Sequence, residues 1–70
     1  MEEITLVNGK VVSKKDYIKL KTRDLIDFGY NLKQSEVAEQ LEKVLNNDKL
    51  NVIGMFIKAD IKQEEYSDGN

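Results

Sequence analysis

Apolar residues recur along this chain with two periods, and the change from one to the other outlines the fold. Ile4-Thr5-Leu6-Val7 and Val11-Val12 are short runs rich in β-branched side chains, and Asn8-Gly9 lies between them. Asn-Gly in that setting signals a hairpin, since both residues accept the positive φ of a type I′ turn. A hairpin is therefore predicted over residues 3–12. Two strands alone are marginal in water, so the ribbon must rest on helices or pair with another strand.

From residue 13 the period becomes helical. Ser13 with Asp16 three positions on is a helix-start signature, and Gly29 is placed to end that helix in the left-handed conformation. The predicted helix covers residues 14–28, with Ile18, Thr22, Leu25, Ile26 and Phe28 on one face. Leu20 points away from that face: it is exposed, or covered by the hairpin, or the helix starts only near Thr22. Asn31-Leu32-Lys33-Gln34 offers a second start. Behind it, Val37, Ala38, Leu41, Val44 and Leu45 follow the spacing of an amphipathic helix over residues 34–46. Its outer face carries Glu36, Glu39, Gln40 and Lys43, with Glu39 and Lys43 in the favourable i, i+4 order. Asn46-Asn47-Asp48 stops this helix, and Asp48 can cap the next element.

The third helical stretch, residues 49–61, differs in kind. Leu50, Ile53, Ile57 and Ile61 form one apolar stripe. Val52, Met55, Phe56 and Ala59 form a second, roughly 150° round the helix. A helix apolar on two sides is covered on two sides, and a short chain has one core to offer. Gly54 costs about 1 kcal/mol relative to alanine in a helix interior, a cost that close backbone approach would justify. The rival reading is a third strand beside the hairpin, because Val52-Ile53 and Phe56-Ile57 are strand formers. The regular stripes and the Asp48 cap favour the helix. Residues 62–70 are polar and read as a frayed tail.

Composition narrows the class. The chain has 70 residues, 40% hydrophobic and 34% charged, with no proline, cysteine or histidine. That is one small domain, which buries only roughly 60% of the surface its unfolded form exposes. Small folds are usually supported by disulfides, metals or oligomerisation. Without cysteine or histidine there is no disulfide and no thiolate or imidazole metal site, which leaves oligomerisation or an unusually good core. The acidic start Met1-Glu2-Glu3-Ile4 leads into no long apolar run, so no signal peptide is expected. No uncharged stretch approaches the roughly 20 residues that span a bilayer. The expected setting is cytoplasmic, and the abundance of Lys, Asn and Ile suits an AT-rich bacterial or phage genome.

Reactive constellations are missing from the pattern. No Ser–His or Cys–His pair can be built, and no glycine loop cradles phosphate. Asp24 and Asp27 lie three apart, but Asp27 is spaced to pair with Arg23. No stretch alternates oxygen ligands as a calcium loop does. The acidic outer face of residues 34–46 argues against a membrane-lying helix. The chain is therefore expected to be no enzyme and to carry no cofactor or metal.

Charge is the remaining signal. The net charge is −2, but residues 10–23 hold six bases against Asp16, a local +5. Residues 24–70 hold five bases against ten acids, a local −5. The imbalance marks either a basic contact surface or two parts of one fold that attract each other. Lys33–Leu41 resembles the opening helix of a helix-turn-helix motif. It departs from that motif after Leu41, where the helix continues and an apolar element follows in place of a polar recognition helix.

The predicted fold is α+β, mainly α: an N-terminal hairpin and three short helices in one domain spanning residues 1–61. The expected core is Leu6, Val11, Ile18, Leu25, Ile26, Phe28, Val37, Leu41, Val44, Leu45, Ile53, Phe56 and Ile57. The expected function is non-enzymatic protein–protein interaction, with the chain itself or another protein as partner. A homodimer would form through the last helix, with Val52, Gly54, Met55, Phe56 and Ala59 as contact residues. The alternative is a small DNA-binding regulator using Lys10, Lys14, Lys15, Lys19 and Arg23 on phosphates.

Overall fold

The computed structural model describes residues 2–62. The chain builds an antiparallel hairpin followed by three helices: β1 (Glu3–Thr5), β2 (Val11–Ser13), α1 (Lys14–Asp27), α2 (Gln34–Leu45) and α3 (Val52–Asp60). The class is α+β, mainly α, as the residue pattern predicts. The polar tail assigned to residues 62–70 lies outside the described residues from 63 onward.

The hairpin turns differently from the type I′ expectation. Ile4 pairs with Val12 and Thr5 with Val11. Gly9 N–H donates to the Leu6 carbonyl at 2.8 Å, and Leu6 N–H donates to the Lys10 carbonyl at 2.8 Å. Positive φ occurs at Gly9 (90°) and not at Asn8. The connection is thus the three-residue Val7-Asn8-Gly9, with glycine at its left-handed position. The cause is register. A two-residue Asn8-Gly9 turn would set Ile4 against Ser13, whereas the longer turn sets it against Val12, so two apolar side chains face inward together. The same choice sends Val11 outward, where it is exposed, contrary to its expected core position.

Each helix begins and ends on a named device. Ser13 caps α1, its Oγ accepting from Asp16 N–H at 3.1 Å. Gly29, at φ 116°, reverses the chain. Its N–H donates to the Ile26 carbonyl and that of Tyr30 to the Leu25 carbonyl, the paired bonds of a Schellman motif. The α2 helix starts at Lys33, whose backbone N–H donates to Glu36 Oε1 at 2.9 Å. It ends with Asn47 in the left-handed region (φ 61°), and Asp48 N–H donates to the Lys43 carbonyl. Asparagine takes here the role of glycine after α1.

The third helix is shorter than the predicted 49–61. Its cap is Asn51 rather than Asp48: Asn51 Oδ1 accepts from Gly54 N–H at 3.0 Å. Leu50 therefore lies outside the helix, half-buried against the core. At the other end Ile61 has turned extended (φ −99°, ψ 133°). It forms an antiparallel bridge with Leu6, and Lys62 N–H donates to the Thr5 carbonyl at 2.9 Å. The strand reading of residues 50–61 thus holds only for this last step.

The core comprises Ile4, Tyr17, Leu25, Val37, Leu41, Val44, Ile53, Ile57 and Ile61. Leu6, Ile18 and Phe56, expected in it, are half-buried against it. Four other expected members are exposed: Val11, Ile26, Phe28 and Leu45. Ile26 and Leu45 each sit one position, about 100°, beyond a buried neighbour. Phe28 lies one turn past Leu25, beyond the packed part of the inner face of α1. Leu20 is exposed, the first of its three expected fates, with α1 continuous from Lys14. Tyr17 was missed because a phenol ranks as intermediate in burial; its hydroxyl donates to Asp60 Oδ2 at 2.8 Å, so the polar end is satisfied. Gln40, assigned to the outer face of α2, is buried. Its Oε1 faces the start of α3, accepting from Asn51 N–H at 3.4 Å.

Gly54 explains this last contact. A Cβ built there would lie 2.7 Å from Gln40 Oε1 and 3.0 Å from Leu50 Cβ and Cδ2. The close approach that the residue type suggested is therefore internal, α3 against Gln40 and Leu50. Gly54→Ala gains about 1 kcal/mol of helix propensity. Against that stands overpacking of about 1–3 kcal/mol and a displaced Gln40 carbonyl. Net destabilisation of about 1 kcal/mol is expected in urea titrations; a more stable variant would refute the internal packing role.

Tyr17 links packing to pH. Burial and the bond to Asp60 push its phenol well above the ordinary tyrosine range. A raised folded-state value means the folded chain retains a proton that the unfolded chain loses above about pH 10. The stabilisation is complete below that pH and is lost as pH rises, at about 1.4 kcal/mol per unit. Tyr17→Phe should cost about 1 kcal/mol near neutrality through the lost hydrogen bond. The gap between the two proteins should narrow above about pH 10, because the variant lacks this proton. An unchanged gap at alkaline pH in paired denaturation curves would contradict the coupling.

Candidate protein-binding surface

The orientation of α3 decides which of its side chains are free. Ile53, Gly54 and Ile57 are buried, with Ile61 just beyond the helix, so the first apolar stripe faces the core. The second faces outward: Val52 is 56% and Met55 62% exposed, Ala59 is exposed, and Phe56 is half-buried. Of the five residues expected at a contact, four lie on this side. Gly54 does not, because it is turned inward against Gln40.

Phe56 carries the surface beyond α3. Its ring meets Tyr30 edge-on at 5.9 Å between centroids. Tyr30 in turn stacks on Phe28 at 6.3 Å. The Schellman turn at Gly29 makes this possible, since it folds the chain back so that the residues on either side of the glycine present neighbouring rings. Phe28 is 75% exposed, the highest among the large apolar residues of the described chain. The outcome is a strip running from Met55 through Val52 and Ala59 to Phe56, Tyr30 and Phe28. Lys21, Asp24, Leu25, Phe28 and Phe56 line an open cavity of about 210 Å³. Phe28 and Tyr30 were missed in the residue pattern, where Phe28 counted as core. The aromatics flanking a helix-ending glycine were the available signal.

Isolated apolar residues on a surface need no explanation, but contiguous ones do. Val7, Val11, Leu20, Ile26 and Leu45 are also exposed. What sets the strip apart is continuity, through two ring contacts and the i, i+3 and i, i+4 neighbours of α3.

The basic residues are dispersed in comparison. Lys14 Nζ bonds Glu2 at 2.9 Å and also pairs with Glu42, and this ammonium holds the Glu2 carboxyl below its usual range. Lys21 Nζ pairs with Asp60 Oδ2 at 2.5 Å. Part of the local +5 is thus engaged inside the fold, tying α1 to the residue before β1, to α2 and to α3. Lys15, Lys19 and Arg23 are exposed one turn apart on α1, and Lys10 directly follows the hairpin turn. The expected Arg23–Asp27 pair does not form among the described residues. The three free bases of α1 share that helix with Asp16, Asp24 and Asp27, so its uncompensated charge is close to zero. Among the described residues no cluster of acidic side chains is placed to hold a metal ion. No described helix is long and apolar enough to cross a membrane.

Comparison with protein-family models, with curated proteins and with solved structures gave no match.

The two stripes of α3 differ in what they hold up. Val52→Glu with Met55→Glu should change folding stability by no more than about 0.5 kcal/mol per site, as surface positions do. Ile57→Ala, on the fully buried stripe, should cost about 2–5 kcal/mol. Thermal or urea unfolding checks both; a double glutamate variant that unfolds would show the outer stripe to be covered within the fold.

Proposed function

We propose that this chain is a non-enzymatic, cytoplasmic protein–protein interaction module that works through the outer side of α3 and the adjoining aromatic ridge. The observation that carries this reading is the exposure of Val52 and Met55 on a helix whose opposite side is fully packed. Methionine and aromatic side chains are enriched at the centres of protein interfaces, where lysine and glutamate are depleted. Around the strip, charged residues such as Lys58, Lys21 and Asp24 provide the polar rim that such centres usually have. The DNA-binding alternative draws less support. Two bases of the 10–23 segment are engaged in ion pairs, and the three free bases of α1 share their helix with three acids, so the helix presents no net excess of free positive charge.

Retention on immobilised chain tests the reading. Wild type should retain binding protein, a second copy included, that Val52→Glu/Met55→Glu fails to retain at unchanged circular dichroism. Equal retention by the folded variant would sink the reading. Duplex DNA binding that weakens steeply with salt would transfer support to the basic helix.

A further inference from the structure

The geometry points to one particular partner, a second copy of this chain. We propose that two copies dock across a two-fold axis, Met55 of each entering the other's cavity lined by Phe28 and Phe56, with Lys58 of each facing Asp24 of the other. The proposal rests on the interaction reading above and specifies the occupant.

Three observations carry it. The first is size. A cavity of about 210 Å³ is below the roughly 300–1,000 Å³ of small-molecule sites, and suits a single inserted side chain. The second is self-complementarity. A two-fold interface needs knob and hole on one continuous face of the same molecule. Met55 and the Phe56 wall are consecutive in α3, and Val52 and Ala59 fill the ground between them. The third is charge. Asp24 lines the cavity and has no ion pair among the described residues, and Lys58 has none either. Lys58 stands three residues from Met55, about 5–6 Å between Cβ atoms. When Met55 enters the opposite cavity, the unmatched cation arrives beside the unmatched carboxylate.

Apolar side chains are available for such a contact. Among the described residues nine apolar side chains are buried and seven more pack partly buried against them, while eight large ones are exposed.

Charge reversal tests the contact, since Asp24 and Lys58 are both exposed and outside the core. Wild type should show a monomer–dimer equilibrium by sedimentation between about 1 μM and 1 mM. Asp24→Lys alone and Lys58→Asp alone each set like charges together twice and should weaken the dimer by about tenfold or more. Mixing the two single variants makes both contacts complementary again, so the mixture should associate as heterodimer within about threefold of wild type. Retained folding is read by circular dichroism. Wild type that dimerises but is insensitive to both reversals, or a mixture that fails to recover, overturns this docking geometry. If Val52→Glu/Met55→Glu still abolishes that dimer, the interaction reading stands. Wild type that is monomeric throughout overturns the second copy as partner. The interaction reading then falls separately if its own retention test fails.

Discussion

Asp60 is the point on which the arrangement turns. Its carboxylate accepts the Tyr17 hydroxyl and pairs with Lys21, both from α1. Its backbone carbonyl accepts the Val7 N–H at 2.8 Å. One residue at the end of α3 thus holds α1 and the hairpin together, and the next two extend the contact through the Ile61–Leu6 bridge and the Lys62–Thr5 bond. A two-stranded ribbon has little stability of its own; here it gains a third partner along the outer edge of β1 as well as the helical layer beneath it. Burial makes the junction stringent. Tyr17 is almost fully enclosed, and an unpaired phenol there would cost the full desolvation of its hydroxyl.

The same junction fixes the rotation of α3 about its axis. With its end pinned by Asp60 and its start by the Asn51 cap and Gln40, the helix has one orientation in which Gly54 meets Gln40. That orientation buries Ile53 and Ile57 and leaves Val52, Met55 and Ala59 outside. A helix of nine residues with two apolar sides cannot hide both when α2 is its main neighbour and α1 lies beyond. The exposed stripe is therefore a consequence of how the inner stripe is held, and no local rearrangement of α3 alone would cover it.

Periodic and chemically specific signals were readable from residues alone. The Ser13 cap, the Gly29 reversal, the α2 stripe of Val37, Leu41 and Val44, and the double face of α3 all rest on local rules. What escaped depended on contacts between distant segments. The register of the hairpin was decided by Ile4 meeting Val12, which no local turn preference encodes, and a shift of one residue moved Val11 from core to surface. Asn51 displaced Asp48 as cap because Gln40, eleven residues earlier, receives the Asn51 N–H. Phe28 looked like core by angle alone, but the layer beneath α1 ends before it. At the candidate surface, Val52, Met55, Phe56 and Ala59 were identifiable from the helical wheel. Gly54 was assigned to the wrong side because its type signals close approach without saying to what. Tyr30 and Phe28 required knowledge of the chain reversal between them.

The charge asymmetry illustrates how a composition signal divides once the fold is known. A segment of +5 followed by a remainder of −5 admits an external acidic partner or internal attraction. Lys14 and Lys21 are drawn inward onto Glu42 and Asp60 of the acidic remainder and onto Glu2 at the start of the chain. They are also the two bases of α1 that lie on its packed side, where the helical period sets them beside Tyr17, Ile18 and Leu25. The bases on the opposite side, Lys15, Lys19 and Arg23, form no ion pair among the described residues. Attraction between segments thus engages two of the six bases of residues 10–23, and exposed pairs of this kind add little stability individually. What the charges leave unexplained is apolar: a strip of side chains from Met55 to Phe28, held in place by the packing of Gly54 on Gln40 and by the Gly29 reversal. On the reading proposed above, such a surface meets another apolar surface, with charge confined to the rim.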